Sequence, residues 1–251
     1  MVYSLAGSTF FDGRITTVRR RRSTPRPTKV QNMFNDISGR YDIMNRLMTF
    51  GRDRSWRRFV AETALLPVHG LLLDAGTGTG DIALSVLNHY RAARVVGADF
   101  SFEMIEVGQK RRQGEQVLWC CSDALELPFK NDTFDAVTSG YLMRNVSNIH
   151  LALRESMRVL RPGGRLVCLD TTPPSHNVWR PLILMHLKFV IPLLGLIVAQ
   201  NRDAYRYLQE STECFVTPKE LASIMREAGF KDVCHRKFMM GTMAVHWGTC
   251  P

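Results

Sequence analysis

From Leu71 onward the chain alternates short apolar runs with helical ones, and that alternation limits the folds open to it. The apolar runs are "LLLDAG", "RVVGADF", "QVLWCCSDA", "FDAVTSGYL" and "GRLVCLDTT"; between them lie "IALSVLNHY", "FEMIEVGQKRR" and "HLALRESMRVL". Strands apolar along their whole length need cover on both faces, and parallel strands need a long crossover to bring the chain back. The expectation is an α/β fold: a mostly parallel central sheet with helices on both faces. Farther on, "TPKELASIMREAGF" reads as an amphipathic helix capped by Thr217, followed by two last strands in "KDVCHRKFM" and "TMAVHWGT".

The turn after the first strand, "LLLDAGTGTGD", narrows the function. Its glycines stand at Gly76, Gly78 and Gly80, so the spacing is G-x-G-x-G, and Asp81 fills the place of the third glycine in a dinucleotide fingerprint. Glycines let a backbone come close to a ligand. A pyrophosphate prefers bare amides without carboxylates nearby, whereas Asp74 and Asp81 bracket this loop. Two flanking acids favour a ligand with a cationic end, and S-adenosylmethionine has one. Asp99, ending the next strand, is placed to accept both hydroxyls of a ribose. Asp123, after the third strand, is placed to meet an adenine amino group.

Charge and cysteines exclude other classes. The net charge is +10, but seven Arg/Lys precede Val30 (Arg14, Arg19, Arg20, Arg21, Arg22, Arg26 and Lys29) against Asp12 alone. The basic signal is therefore mostly a tail, which argues against nucleic acid as a partner of the folded part. Residues 1–29 read as a basic, disordered extension, with an organelle transit segment as the alternative. Six cysteines include no C-x-x-C pair. Cys120 and Cys121 sit among apolar neighbours and read as reduced core thiols, and the scattered histidines have no ligand spacing, so no metal is expected.

Two stretches lie outside the alternating pattern. "VQNMFNDISGRYDIMNRLMTF" and "SWRRFVAETALL" read as amphipathic helices ahead of the first strand, with a break near Gly39. "PLILMHLKFVIPLLGLIVA" (181–199) is nearly long enough to cross a bilayer, but Lys188 and His186 stand near its centre and Pro192 and Gly195 interrupt it. It reads as part of a helical cap over an apolar site, spanning 178–212, that touches a membrane interface.

"LDAGTGTGD", "GADFSFEMI", "SDALELPF" and "RVLRPGG" together resemble class I S-adenosylmethionine-dependent methyltransferases. "YDIMNRLMTFGRDRSW", "YLMRNV", "RVLRPGGRLVCLD" and "DAYRYLQEST" narrow the resemblance to the ubiquinone/menaquinone biosynthesis C-methyltransferase family, from about Val30 to Gly248. The resemblance implies a Rossmann-like domain over 30–251 with an N-terminal helical lid and S-adenosylmethionine as methyl donor. It implies as substrate a prenylated quinol, demethylmenaquinol before a methoxy-benzoquinol, reached by peripheral membrane contact. Homo-oligomer formation stays open. The implied catalytic residues are Arg144, stabilising a quinolate directly or through a water, Asn145, orienting the oxygen, and Tyr41. The candidate cofactor set is Asp74, Gly76, Thr77, Gly78, Gly80, Asp99, Phe100, Met104, Asp123 and Ala124, with Tyr205 and Tyr207 as further wall residues. Four positions depart from the family pattern: Thr49 for serine, Asp53 for histidine, Asp170 for glutamate and Thr172 for serine. Asp53 is expected near the site entrance.

Overall fold

The computed structural model describes residues 41–173, 181, 185, 190, 207 and 210–251. The basic tail, most of the 178–212 stretch and Tyr205 lie outside the described residues.

The described chain opens with two helices, α1 (Tyr41–Met48) and α2 (Asp53–Thr63). The alternating unit follows: β1 (Leu71–Ala75), α3 (Asp81–His89), β2 (Arg94–Asp99), α4 (Phe102–Gln109), β3 (Val117–Cys121), β4 (Phe134–Gly140), α5 (Ile149–Val159) and β5 (Leu160–Thr171). It closes with α6 (Pro218–Glu227), β6 (Lys231–Phe238) and β7 (Met243–Thr249). The seven strands form one sheet in the order β3-β2-β1-β4-β5-β7-β6. All neighbours are parallel except β7, which runs antiparallel to both β5 and β6. The expected α/β architecture is therefore present, and the antiparallel strand explains the "mostly".

The central strands β1, β2 and β4 bury both faces, as their unbroken apolar runs require, while the edge strand β6 stays largely exposed. Leu73, Ala75, Val96 and Ala98 turn to one side, where α5 and α6 deliver Leu153, Val159, Ala222 and Met225. Leu72, Val95, Ala136 and Val167 turn to the other, against Trp56, Val60, Ile82, Ala83 and Val86 of α2 and α3. The helix starts follow local chemistry. Ser101 accepts from the Met104 amide to start α4, and Asn148 accepts from Leu151 to start α5. Thr217 and Glu220 form a reciprocal capping box on α6, with Pro218 at its first turn.

The topology also fixes where a ligand can sit. The chain leaves β1 toward β2 on one side, and β4 flanks β1 on the other, so the strand order reverses between β1 and β4. Crevices of open α/β sheets form outside the carboxyl ends of strands at such a reversal.

Candidate active site

An open cleft lies at that reversal, lined by Gly76 and Gly78 after β1, Asp99 and Phe100 at the end of β2, Met104 of α4, Gly140 at the end of β4, and Tyr141, Leu142 and Asn145 after it. Its floor is glycine backbone, and its apolar side chains are Phe100, Met104 and Leu142. Asp99 is its one charged lining residue among those described. An adenosyl group with a cationic end fits such a wall; a pyrophosphate, facing a carboxylate and no basic side chain, does not.

The glycine loop is shaped from beneath. Gly80 precedes α3 with φ of 84°, and a Cβ there would come within 2.6 Å of the Trp119 ring. Both the backbone sign and the indole demand glycine. Gly78, with φ of 57° and nothing near its missing Cβ, faces open space, and its amide donates to Asp99 Oδ2 at 2.7 Å. The other oxygen of Asp99 accepts from the Ser101 amide at 2.8 Å. Burial pushes the Asp99 carboxyl up to about 6 despite these donors.

Asp74 and Asp81, the acids that bracket the loop, both turn to partners within the protein. Asp74 is 1% exposed. Its Oδ2 accepts from the Thr77 hydroxyl at 2.7 Å and the Ala83 amide at 3.2 Å, and its Oδ1 accepts from the Thr138 hydroxyl at 2.8 Å. These donors belong to the loop, the first turn of α3 and the neighbouring strand, so Asp74 staples the turn to α3 and β4. Burial raises its carboxyl to about 6. Asp81 is held by Arg57 and Arg111, each at 2.7 Å. Neither bracketing acid lines the cavity. The carboxylate that does so is Asp99, so the electrostatic case for a cationic ligand passes to it.

The remaining candidates divide in the same way. Gly76, Gly78, Asp99, Phe100, Met104 and Asn145 meet at the cavity, while Asp74, Thr77 and Gly80 lie behind its wall. Asp123 is exposed, with its side chain accepting from the Leu125 amide at 2.9 Å, and Ala124 packs against the core; neither lines the cavity. Gly140, Tyr141 and Leu142 escaped the sequence reading. Tyr141 and Leu142 open the "YLMRNV" motif and Gly140 ends β4, but nothing in the sequence says that β4 adjoins β1. Tyr141 carries φ of 58°, an unusual conformation for a bulky residue, and such strain collects at functional sites.

Arg144 is almost buried, its side chain 4% exposed, and its Nη1 donates to Asp170 Oδ1 at 2.8 Å and to the Thr171 hydroxyl at 3.3 Å. The guanidinium sits 5.0 Å from the Tyr141 ring centroid, and its buried Nε has no hydrogen-bond partner among the described residues. Burial raises the Asp170 carboxyl, while Arg144 opposes that shift. Asn145 donates to the Tyr141 carbonyl at 2.7 Å and accepts from the Tyr207 hydroxyl at 3.2 Å. Tyr207 thus joins the site directly, its phenol shifted up by burial. Tyr41 is the first residue of α1.

Asp53 calls for a correction. It is 1% exposed and lies between Arg57, at 2.8 Å, and the Thr49 hydroxyl, at 3.2 Å. A residue so enclosed packs the N-terminal helices together and faces no entrance. Thr172, another departure, donates to the Gly241 carbonyl.

The ubiE/COQ5 methyltransferase family matches residues 22–250. The ubiquinone/menaquinone biosynthesis C-methyltransferase of Desulfotalea psychrophila is 49% identical over 219 residues, covering 87% of this chain and 89% of that protein. The demethylmenaquinone methyltransferase of Thermus thermophilus is 41% identical, covering 87% of this chain and 100% of that one. Among solved structures, an S-adenosylmethionine-dependent methyltransferase from Thermotoga maritima superposes with a TM-score of 0.62 at 21% identity, covering 88% and 100% of the two chains. A Haemonchus contortus phosphoethanolamine N-methyltransferase in complex with S-adenosylmethionine superposes at 0.58 with 14% identity, covering 78% and 52%. At these identities the two structures speak for the fold.

Proposed function

The chain belongs to the ubiE/COQ5 methyltransferase family, and on that premise we propose that it methylates a ring carbon of a prenylated quinol, converting demethylmenaquinol to menaquinol. The methyl donor is S-adenosylmethionine. The observation that carries the reading is the glycine-floored cavity whose one charged lining residue among those described is Asp99, with Asn145 in its wall and the Arg144–Asp170 pair packed against the lining Tyr141.

Bound in the cavity, the donor supplies an electrophilic methyl on a positive sulfur. The protein's share is to hold the ring carbon about 3 Å from that methyl and in line with the carbon–sulfur bond, which accounts for much of the rate. Asp99 holds the ribose hydroxyls, and Phe100, Met104 and Leu142 enclose the adenine. The ring carbon becomes nucleophilic when its hydroxyl loses a proton. The new carbon–carbon bond forms as the carbon–sulfur bond breaks, and loss of the ring proton restores aromaticity. An arginine is too basic to accept the hydroxyl proton itself. Arg144 instead stabilises the oxyanion, directly or through a water that takes the proton, from a position fixed by Asp170 and Tyr141. Asn145, turned by Tyr207, orients the oxygen. Tyr41, the first residue of α1, is the remaining candidate for contact with the quinol.

A polyprenyl substrate resides in a bilayer, and contact with the membrane is peripheral in this reading: among the described residues no helix is long and apolar enough to cross. Ile43, Leu47 and Phe50 are 57%, 41% and 72% exposed, and Arg46, Arg52, Arg54 and Arg58 are exposed around them. Such a surface suits an anionic lipid interface.

The test incubates purified protein and isotopically labelled donor with reduced demethylmenaquinone and with a reduced polyprenyl methoxy-benzoquinone, then identifies the methylated ring by mass spectrometry. Methyl on the naphthoquinol supports the proposal. Methyl on the benzoquinol alone redirects it to ubiquinone synthesis, and methyl on neither defeats it.

A further inference from the structure

The polar ties from the two N-terminal helices converge on the exit of the glycine loop. From α1, Asp42 accepts from the Thr79 hydroxyl at 2.7 Å and lies 3.3 Å from Arg111 Nη1. The same guanidinium nitrogen reaches the Thr79 carbonyl at 3.0 Å and Asp81 Oδ1 at 2.7 Å. From α2, Arg57 spans Asp53 at 2.8 Å and Asp81 Oδ2 at 2.7 Å. Asp81, the first residue of α3, therefore takes one arginine on each carboxylate oxygen. Arg111 is the member that touches all three pieces: α1, the loop, and the start of α3.

We propose that Arg111 is a positioning residue that couples cofactor occupancy of the glycine loop to the seating of α1 against it. The relay is short. Asp99, in the cavity wall, accepts from the Gly78 amide; Thr79 is the next residue, and both its side-chain and its carbonyl oxygen feed the contact with Arg111 and α1. A ligand whose hydroxyls compete for Asp99 draws on the Gly78 amide and turns the peptide that follows. Positive φ at Gly76, Gly78 and Gly80 lets the loop turn there. Arg111 passes that turn to Asp42 and so to the first turn of α1, which begins at Tyr41. An ion pair that served stability alone would hold α1 equally with and without ligand. A coupling residue holds it more tightly when ligand is bound, and by linkage the seated helix tightens the ligand by the same factor, typically about 5–150-fold.

The inference rests on the cavity being the cofactor site, which binding by the unaltered protein tests separately. The experiment measures amide hydrogen exchange of the full chain with and without saturating S-adenosylhomocysteine, together with calorimetric affinities, for the unaltered protein, Arg111→Met, Arg111→Lys and Asp42→Asn. In the unaltered protein the ligand should slow exchange in both 41–48 and 76–81. In Arg111→Met affinity should fall by roughly tenfold or more; at saturation 76–81 should still be protected while the ligand-dependent protection of 41–48 is lost. Arg111→Lys, which keeps the charge and loses the fork, should fall between. Asp42→Asn cuts the same link from the helix side and decides the matter if Arg111→Met does not fold. Equal ligand-dependent protection of 41–48 in all four proteins overturns the proposal. Absence of ligand binding in the unaltered protein overturns the cofactor site with it.

Discussion

Two isosteric substitutions, Asp99→Asn and Asp74→Asn, separate the two acids at the glycine loop. Both carboxyls are deeply buried and both are pushed up to about 6 by burial. Removing the charge therefore relieves about the same desolvation at each site, and the difference between the variants reports hydrogen-bond geometry. At Asp99 the two oxygens accept from two backbone amides, Gly78 and Ser101. Asparagine has one acceptor oxygen, so its NH2 must face an amide that cannot reverse its role. A buried donor left without a partner costs about 1–3 kcal/mol. At Asp74, Oδ1 accepts from the Thr138 hydroxyl, which can turn and accept from the new NH2, while the other side keeps Thr77 and Ala83. Asp99→Asn should thus be less stable than Asp74→Asn by about 1–3 kcal/mol in urea unfolding at pH 7.5. Cofactor affinity should follow the same order. Asp99 lines the cavity, and loss of its charged acceptor should weaken S-adenosylhomocysteine by roughly 10- to 150-fold, about 1.5–3 kcal/mol. Asp74→Asn should stay within a few-fold, and exposed Asp123→Asn should leave stability and binding nearly unchanged. Equal stabilities for the first two, or a greater loss at Asp74, would refute the donor argument.

Arg144→Ala should lower kcat by roughly a hundredfold or more while leaving cofactor affinity within a few-fold, measured by single-turnover methyl transfer; normal turnover would remove Arg144 from the chemistry. Asp53→Ala should cost about 3 kcal/mol in urea unfolding, the low end for breaking a buried pair because Arg57 keeps Asp81, with no change in which quinol is methylated. Gly80→Ala should destabilise by at least about 1–2 kcal/mol from the left-handed backbone alone, before any cost of the Cβ meeting Trp119. His246, 1% exposed with Nε2 on the Pro218 carbonyl, is pushed down to about 4, mainly by burial. Its folded value lies below the ordinary 6.5, so its contribution is complete above pH 6.5 and is lost as pH falls toward 4, at up to about 1.4 kcal/mol per unit. Asp74 and Asp99 act in the opposite sense: raised from 3.8, they contribute fully below pH 3.8 and lose that contribution as pH rises through about 6. Urea melts from pH 4 to 7.5 should therefore show His246→Leu flattening the acid-side decline and Asp99→Asn steepening it.

The residue string alone determined the element types and the place of the loop. Unbroken apolar runs such as "LLLDA" need cover on both faces, and the fold gives each such strand that cover. Thr217 and Glu220 specify a helix start because both partners lie within one turn. These are local constraints, readable at any position without knowing the rest of the fold. Tertiary structure decided which acid lines the cavity. Asp74, Asp81, Asp99 and Asp123 look alike in sequence, each beside a turn after a strand. Their roles separate only when β4 sets Thr138 against Asp74, when Arg57 and Arg111 arrive at Asp81, and when Asp123 stays in solvent. It also turned Asp53 from a suspected entrance residue into a buried packing one, and brought Gly140 to Leu142 beside the glycine loop. The physical reason is common to all of these: a side chain's charge is spent on whatever donor lies nearest in space, and strand order, which no local pattern encodes, determines who that neighbour is.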